Sequence, residues 1–347
     1  MWVYFIGGYL SAFLLYLHNK NKKERFLIFI SFLILLLISS LRYGIGIDYL
    51  HTYVPKFYSV KYGNYDWDIG AILICKFVQL FSSDYVYFFA ICSFITLFFI
   101  YKTIAELSDY SPFCLLLFVI SGEYIMSFNA VRQYIAIALF VYSIKYVLNK
   151  DIKKYIAFIL LAGTMHSSAI FLLPLYFLNK IESTKKSHLL IFILSIVLIP
   201  SLSTLFYWLI GFTKYAYYLS SGYNTFDPSY SELIVFTIVY ITSIIFYKKC
   251  KDDKTYKLLL NFELISVILA ILSFKIILAY RVLLYFRFIQ IIMLTRISKK
   301  VYLSKNRILF YTFFIIMYSG LTILGGYYLN WYDTNYHSIF DVNRIRK

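Results

Sequence analysis

Residues 84–104 read DYVYFFAICSFITLFFIYKTI. Between Asp84 and Lys102 no side chain carries a charge. A helix needs about 20 mainly apolar residues to cross the hydrocarbon core of a bilayer, and this stretch supplies nearly all of them. Runs of the same character recur at 1–17, 26–41, 69–81, 112–128, 129–148, 154–178, 188–210, 231–247, 258–280, 282–297 and 308–329. The reading is an all-α, polytopic integral membrane protein. It forms a single membrane domain over 1–347, with about 10–12 transmembrane helices plus short interfacial or re-entrant segments.

Composition agrees. Of the 347 residues, 61% are hydrophobic and 15% charged, where a soluble domain carries about 25% charged residues. The formal net charge of +17 would suggest nucleic acid in a soluble chain. Here the cations fall in short loops between apolar runs, the pattern of positive-inside topology, and no nucleic-acid partner is expected. Cys75, Cys92, Cys114 and Cys250 are scattered, so neither a disulfide framework nor a metal site is indicated. The first run lacks a charged leader and a small-residue cleavage site, so a retained helix is expected there.

Five loops are rich in Lys and Arg. They hold Lys20, Lys22, Lys23 and Arg25; Lys150, Lys153 and Lys154; Lys180, Lys185 and Lys186; Lys248, Lys249, Lys251, Lys254 and Lys257; and Lys299, Lys300, Lys305 and Arg307. Placing all five in the cytoplasm puts the amino terminus, the loop 42–83, the loop 211–230 and the tail after Leu329 outside. Within 42–83, the run 69–81 is short and carries Lys76, which predicts an interfacial or re-entrant helix. Segment 154–178 has cytoplasmic loops on both sides. It is expected to be a bent hairpin turning near Gly163–Ser168, or else one straight helix that violates the charge rule.

Ionisable groups at membrane depth cost about 2.5–3.5 kcal/mol each and call for a reason. Four constellations meet that test. Arg42-Tyr-Gly-Ile-Gly-Ile-Asp48 pairs two turn-forming glycines with an ion at each end. It is either a substrate loop or an interfacial ion pair. Asn129, Arg132 and Gln133 share one face at the start of a helix, where Arg132 is placed to grip a phosphate. Glu123, nine residues before Arg132, is expected across the turn from it, as a base or as its neutralising partner. His166 stands among Ser167 and Ser168 as a general-base or packing residue. The last is Lys275, Arg281, Tyr285 and Arg287, with Arg287 deep enough to pair with Glu263 on the preceding helix. The loop assignment brings Arg42, Asp48, Arg132, His166 and Arg281 to one side. Several cations and possible bases around one cavity suit a diphosphate that carries a sugar. Walker, GxGxxG and zinc patterns are missing, and no metal or other cofactor is expected.

At these residues the sequence resembles the EpsG-like branch of the Wzy-type polysaccharide polymerases. The resemblance rests on motif order across most of the chain: Arg42…Gly46…Asp48-Tyr49 with Tyr53 and Phe57, Asn129-x-x-Arg132-Gln133, Ala162…His166-Ser-Ser-Ala169, and Arg281…Tyr285-Phe286. Ile47 stands where that pattern has a small hydroxyl residue, and Asn335-Tyr336 where it has Pro-Tyr. The resemblance implies a GT-C-like fold in a bacterial cytoplasmic membrane, with the active site facing outside. It implies an enzyme that joins oligosaccharide repeat units carried on undecaprenyl diphosphate, beside a chain-length-regulating co-polymerase. Arg132, Arg281 and Arg42 would then steady the departing diphosphate, with Gln133 and Tyr285 in the binding site. Asp48, His166 or Glu123 would take the acceptor proton. Tyr49, Tyr65 and Trp67 would stack on sugars or sit in an interfacial belt. A flippase for lipid-linked oligosaccharide, a membrane O-acyltransferase and an O-antigen ligase remain as rival readings.

Overall fold

The computed structural model describes residues 1–21, 24–211, 216, 230–327 and 334–341. Lys22 and Lys23, most of the loop 211–230, and 328–333 with 342–347 of the tail lie outside the described residues. The described chain is all helix and turn, apart from one isolated bridge between Arg42 and Ser338. The chain is an all-α polytopic membrane protein.

Fifteen α-helices are described. They are α1 Trp2–Lys20, α2 Phe26–Ser40, α3 Val54–Lys61, α4 Ile69–Gln79, α5 Val86–Leu107, α6 Ser111–Ile120, α7 Glu123–Asn129, α8 Val131–Leu148, α9 Ile152–Met165, α10 Lys185–Gly211, α11 Tyr230–Cys250, α12 Lys254–Ser273, α13 Ile277–Leu283, α14 Arg287–Lys299 and α15 Ser304–Tyr327. Of these, α5, α8, α11, α12 and α15 are long and apolar enough to cross a membrane alone, and the bent pair α6–α7 makes a sixth. That is fewer than the dozen apolar runs, because local chemistry cuts several runs short. The run 112–128 breaks at Gly122, whose φ of +85° suits glycine, and the two halves meet at 52°. A break at membrane depth frees carbonyls that must find donors. Thr322 of α15 supplies one to Ile120 at 2.7 Å.

Small and hydroxyl residues hold the helices close, as usual where lipid offers no hydrophobic drive to associate. Ser11 and Ser31 exchange hydrogen bonds with each other's carbonyls at 3.1 and 2.9 Å, joining α1 to α2. Ser31 also meets the Tyr101 hydroxyl of α5 at 2.7 Å. A Cβ on Gly8 would stand 2.6 Å from Val119, so α1 and α6 nearly touch.

After Met165 the backbone turns extended at His166 and continues as a 3₁₀ stretch over Ser167–Lys180, with Pro174 inside it. This stretch runs back along α9. A Cβ on Gly163 would meet Ile170 at 2.7 Å, and the Tyr155 hydroxyl donates to Leu172 O at 2.7 Å.

Two ends of the bundle differ in chemistry. At one end Arg296 reaches Asp253 at 2.7 Å and Leu107 O at 3.0 Å, and Lys299 lies 3.6 Å from Asp109. Ser183 donates to Lys257 O at 2.8 Å and Asn179 to Val147 O at 3.4 Å at this same end. The loops around 150, 183, 253 and 300 therefore converge there. The end of α1 joins them, because α1 runs antiparallel to α6 and Met1 sits at the opposite end against Thr334 and Gly326. The described parts of the five Lys/Arg-rich loops thus share one end. The opposite end carries the motif residues.

Candidate functional site

At the end remote from the basic loops, Arg42 follows α2. Its guanidinium is 1% exposed and enclosed by Phe89 and Phe128, whose ring centres are 4.8 and 4.7 Å away. It donates to Ser39 O and, at 3.4 Å, to Phe128 O. Burial strips water from the guanidinium and disfavours its charged form. Strands of loop clamp it: Tyr43 N donates to His337 O at 2.8 Å and Ile339 N to Leu41 O at 2.9 Å. Arg42 therefore braces the site from behind and does not open into it. Tyr49 is also packed away, stacked on Phe89 at 4.2 Å.

The glycine turn that follows presents Asp48. Gly46 has a φ of +93°, and a Cβ there would stand 3.1 Å from Asn129 Cα. That close approach lets Asn129 Oδ1 accept from Asp48 N at 3.0 Å, so the first two motifs share a hydrogen bond. Asp48 is half-buried, and one carboxylate oxygen accepts from Thr52 at 3.0 Å.

Arg132 lies in the first turn of α8. Its ion pair is with Asp68, the residue preceding α4. Its guanidinium also covers the Trp67 ring at 5.2 Å. Two donors in this contact, Arg132 Nε and Trp67 Nε1, are buried without a hydrogen-bond partner. Tyr53, on a π-helical turn over Tyr49–Tyr53, packs against Trp67 with ring centres 5.7 Å apart.

The start of α4 also lies against the His166 turn. A Cβ on Gly70, two residues after Asp68, would meet Met165 Sδ at 2.4 Å. His166 Nδ1 hydrogen-bonds Ser168 Oγ at 2.6 Å, and Ser168 Oγ the Tyr285 hydroxyl at 3.0 Å. His166, Ser168 and Tyr285 are all buried. Gln133 donates to Arg281 O at 2.8 Å. Hydrogen bonds thus link Asp48 to Asn129, Gln133 to Arg281, and His166 through Ser168 to Tyr285, with Arg132 next to Gln133 in the chain.

Glu123 is not across from Arg132. It pairs with Arg287 at 3.1 Å and accepts from Tyr134 at 2.8 Å. Arg287 is likewise not the partner of Glu263. Its second carboxylate is Glu232 of α11, and its Nη2 also donates to Tyr280 at 2.8 Å. Glu263 instead meets Gln290 at 3.4 Å. The cause is the bend at Gly122, which turns Glu123 inward toward α14 while α8 starts afresh at Val131.

Asp68 and Glu232 escaped the sequence reading. Asp68 stands beside a short apolar run with nothing to mark it, and Glu232 looks like an ordinary acidic residue at a helix start. The only sequence signal for either was a carboxylate flanking an apolar run that elsewhere carries cations. Among the described residues, no three His, Cys, Asp or Glu side chains come together as a metal-holding group.

No curated protein and no solved structure matches the chain. The EpsG family matches residues 25–337, a span that takes in every residue of this cluster and the Glu123–Arg287–Glu232 triad, and the chain belongs to that family.

Proposed function

We propose that the chain is a glycosyltransferase that lengthens a polysaccharide by joining repeat units carried on undecaprenyl diphosphate, at the outer face of the bacterial cytoplasmic membrane. Family membership supports a polysaccharide-polymerase-like role. The observation that carries the finer reading is the pair of orphaned donors, Arg132 Nε and Trp67 Nε1, beside a half-buried carboxylate, Asp48. Buried donors without partners are costly, and a ligand oxygen relieves the cost. The outward orientation is supported by the five cationic loops gathered at the other end.

In this reading Asp68 holds Arg132 by one nitrogen, and a phosphate oxygen takes the partnerless Nε. Arg281, whose carbonyl Gln133 holds beside the same helix turn, adds a second positive charge. As the glycosyl bond of the donor breaks, charge grows on the departing diphosphate, and fixed cations lower the barrier. Removing one such group costs about 100- to 1,000-fold in rate. The acceptor hydroxyl gives its proton to Asp48, whose second oxygen is not engaged by Thr52. His166, hydrogen-bonded through Ser168 to Tyr285, shapes the floor. The undecaprenyl chain lies in the bilayer beside the bundle.

The test uses purified protein in liposomes with undecaprenyl-diphosphate-linked repeat units and no nucleotide sugar. Glycan length and released undecaprenyl diphosphate are followed for wild type and Arg132→Ala. A ladder of longer glycans that Arg132→Ala abolishes, with folding intact, is expected. Movement of the substrate between leaflets without lengthening would refute the enzyme reading in favour of a flippase.

A further inference from the structure

Beside the loop cluster lies a second polar cavity that the scheme above leaves unused. Its charged wall is Arg287 between Glu123 and Glu232. Ser121, Ser231, Gln290 and Tyr318 complete the polar lining, and Val235 and Phe236 supply an apolar wall. The cavity is open on one side, and with the space at its mouth it spans about 510 Å³.

Tyr318 points to an occupant. The residue is 6% exposed, and its hydroxyl is buried with no hydrogen-bond partner. Gln290 is nearly as idle, since its amide reaches Glu263 only at 3.4 Å. One guanidinium against two carboxylates gives the wall no surplus of positive charge, so it does not suit a phosphate. An unspent hydroxyl and a weakly held amide facing an apolar wall suit an uncharged ring that has hydroxyls on its edge and C–H bonds on its face.

We propose that this cavity binds a neutral sugar ring of the oligosaccharide repeat unit, with the Tyr318 hydroxyl and the Gln290 amide hydrogen-bonding to ring hydroxyls. Naming the ligand as the repeat unit rests on the polymerase reading. Binding itself is tested without it.

The probe is the repeat-unit oligosaccharide freed from its lipid diphosphate by mild acid, added to the full-length protein in detergent, with thermal unfolding as readout. Tyr318→Phe is the discriminating variant, because it removes a hydroxyl that makes no hydrogen bond within the protein. If the hydroxyl serves only packing, deleting an unsatisfied group leaves the melting temperature equal or higher and glycan affinity unchanged. A binding role predicts the same unliganded melting temperature with about tenfold weaker glycan affinity, the worth of one hydrogen bond. Gln290→Leu should weaken affinity similarly. With lipid-linked acceptor in liposomes, Tyr318→Phe should raise KM by a like factor and spare kcat.

Failure to stabilise wild type, unchanged affinity in Tyr318→Phe, or a lower unliganded melting temperature for that variant each overturns the proposal. If wild type binds free glycan through Tyr318 but never lengthens lipid-linked glycan, the polymerase reading fails and the sugar site stands. If it lengthens glycan while Tyr318→Phe behaves as wild type, the reverse holds.

Discussion

Replacing Asp68 by Asn should loosen Arg132 without removing it. The side chains of this ion pair are 7% exposed for Asp68 and 21% for Arg132. Fully exposed pairs are worth about 0–1 kcal/mol, whereas stranding one partner of a fully buried pair costs about 3–5 kcal/mol. With Asp68 buried and Arg132 partly screened by water, Asp68→Asn and Arg132→Gln should each cost about 2–3 kcal/mol, between those limits. The double variant strands neither charge. Its loss should fall short of the summed single losses by about 1–3 kcal/mol, the range for residues in direct contact. Thermal unfolding in detergent reads this order. Activity should split differently. Arg132→Gln removes the cation from the reaction and should lose about 100- to 1,000-fold in kcat. Asp68→Asn misplaces that cation and should lose about 100-fold or less. Additive stability losses would refute the pair. Equal activity in Asp68→Asn and wild type would refute its positioning role.

Three other perturbations probe the same framework. Gly46→Ala puts a Cβ 3.1 Å from Asn129 Cα at a φ of +93°; it should cost about 1–3 kcal/mol and lower activity by displacing Asp48. Asn129→Ala removes the acceptor of Asp48 N and should cost about 1 kcal/mol, with a larger loss of activity than of melting temperature. Arg287→Met leaves Glu123 and Glu232 without their cation and should cost about 3–5 kcal/mol; adding Glu123→Gln and Glu232→Gln to it should restore most of the melting temperature.

The apolar runs made the helices and their membrane setting readable, because a bilayer demands about 20 apolar residues at a time. The cationic loops separate from the motif residues along the bundle. They gather at one end, and Asp48, Arg132 and His166 lie at the other. Partnerships were harder to read. Arg287 was matched to Glu263 on the assumption that neighbouring helices stay in register, but Gly122 turns Glu123 into that place and α11 adds Glu232. Arg42 looked like a phosphate ligand in sequence. Only packing shows Phe89 and Phe128 closing over it. Asp68 illustrates the general limit: its partner is 64 residues away, and no local pattern encodes that contact.

Depth along the bundle bears on the choice between polymerisation and transport. Counting about 1.5 Å per residue from Lys299, Arg287 lies about 18 Å from the basic end. The polar cavity therefore belongs to the half of the membrane nearest the motif loops. Phe140, Phe262 and Phe286 pack together, with ring centres 6.0 to 6.3 Å apart. Tyr285 lies against the same Phe140 ring at 6.0 Å. A carrier would need polar partners through the whole depth of the membrane at every turnover. A polymerase needs only the upper half, where donor diphosphate, acceptor hydroxyl and base can meet while the lipid tails stay in the bilayer. A polar cavity placed toward the motif loops suits glycan joining, which needs no polar path through the other half of the membrane.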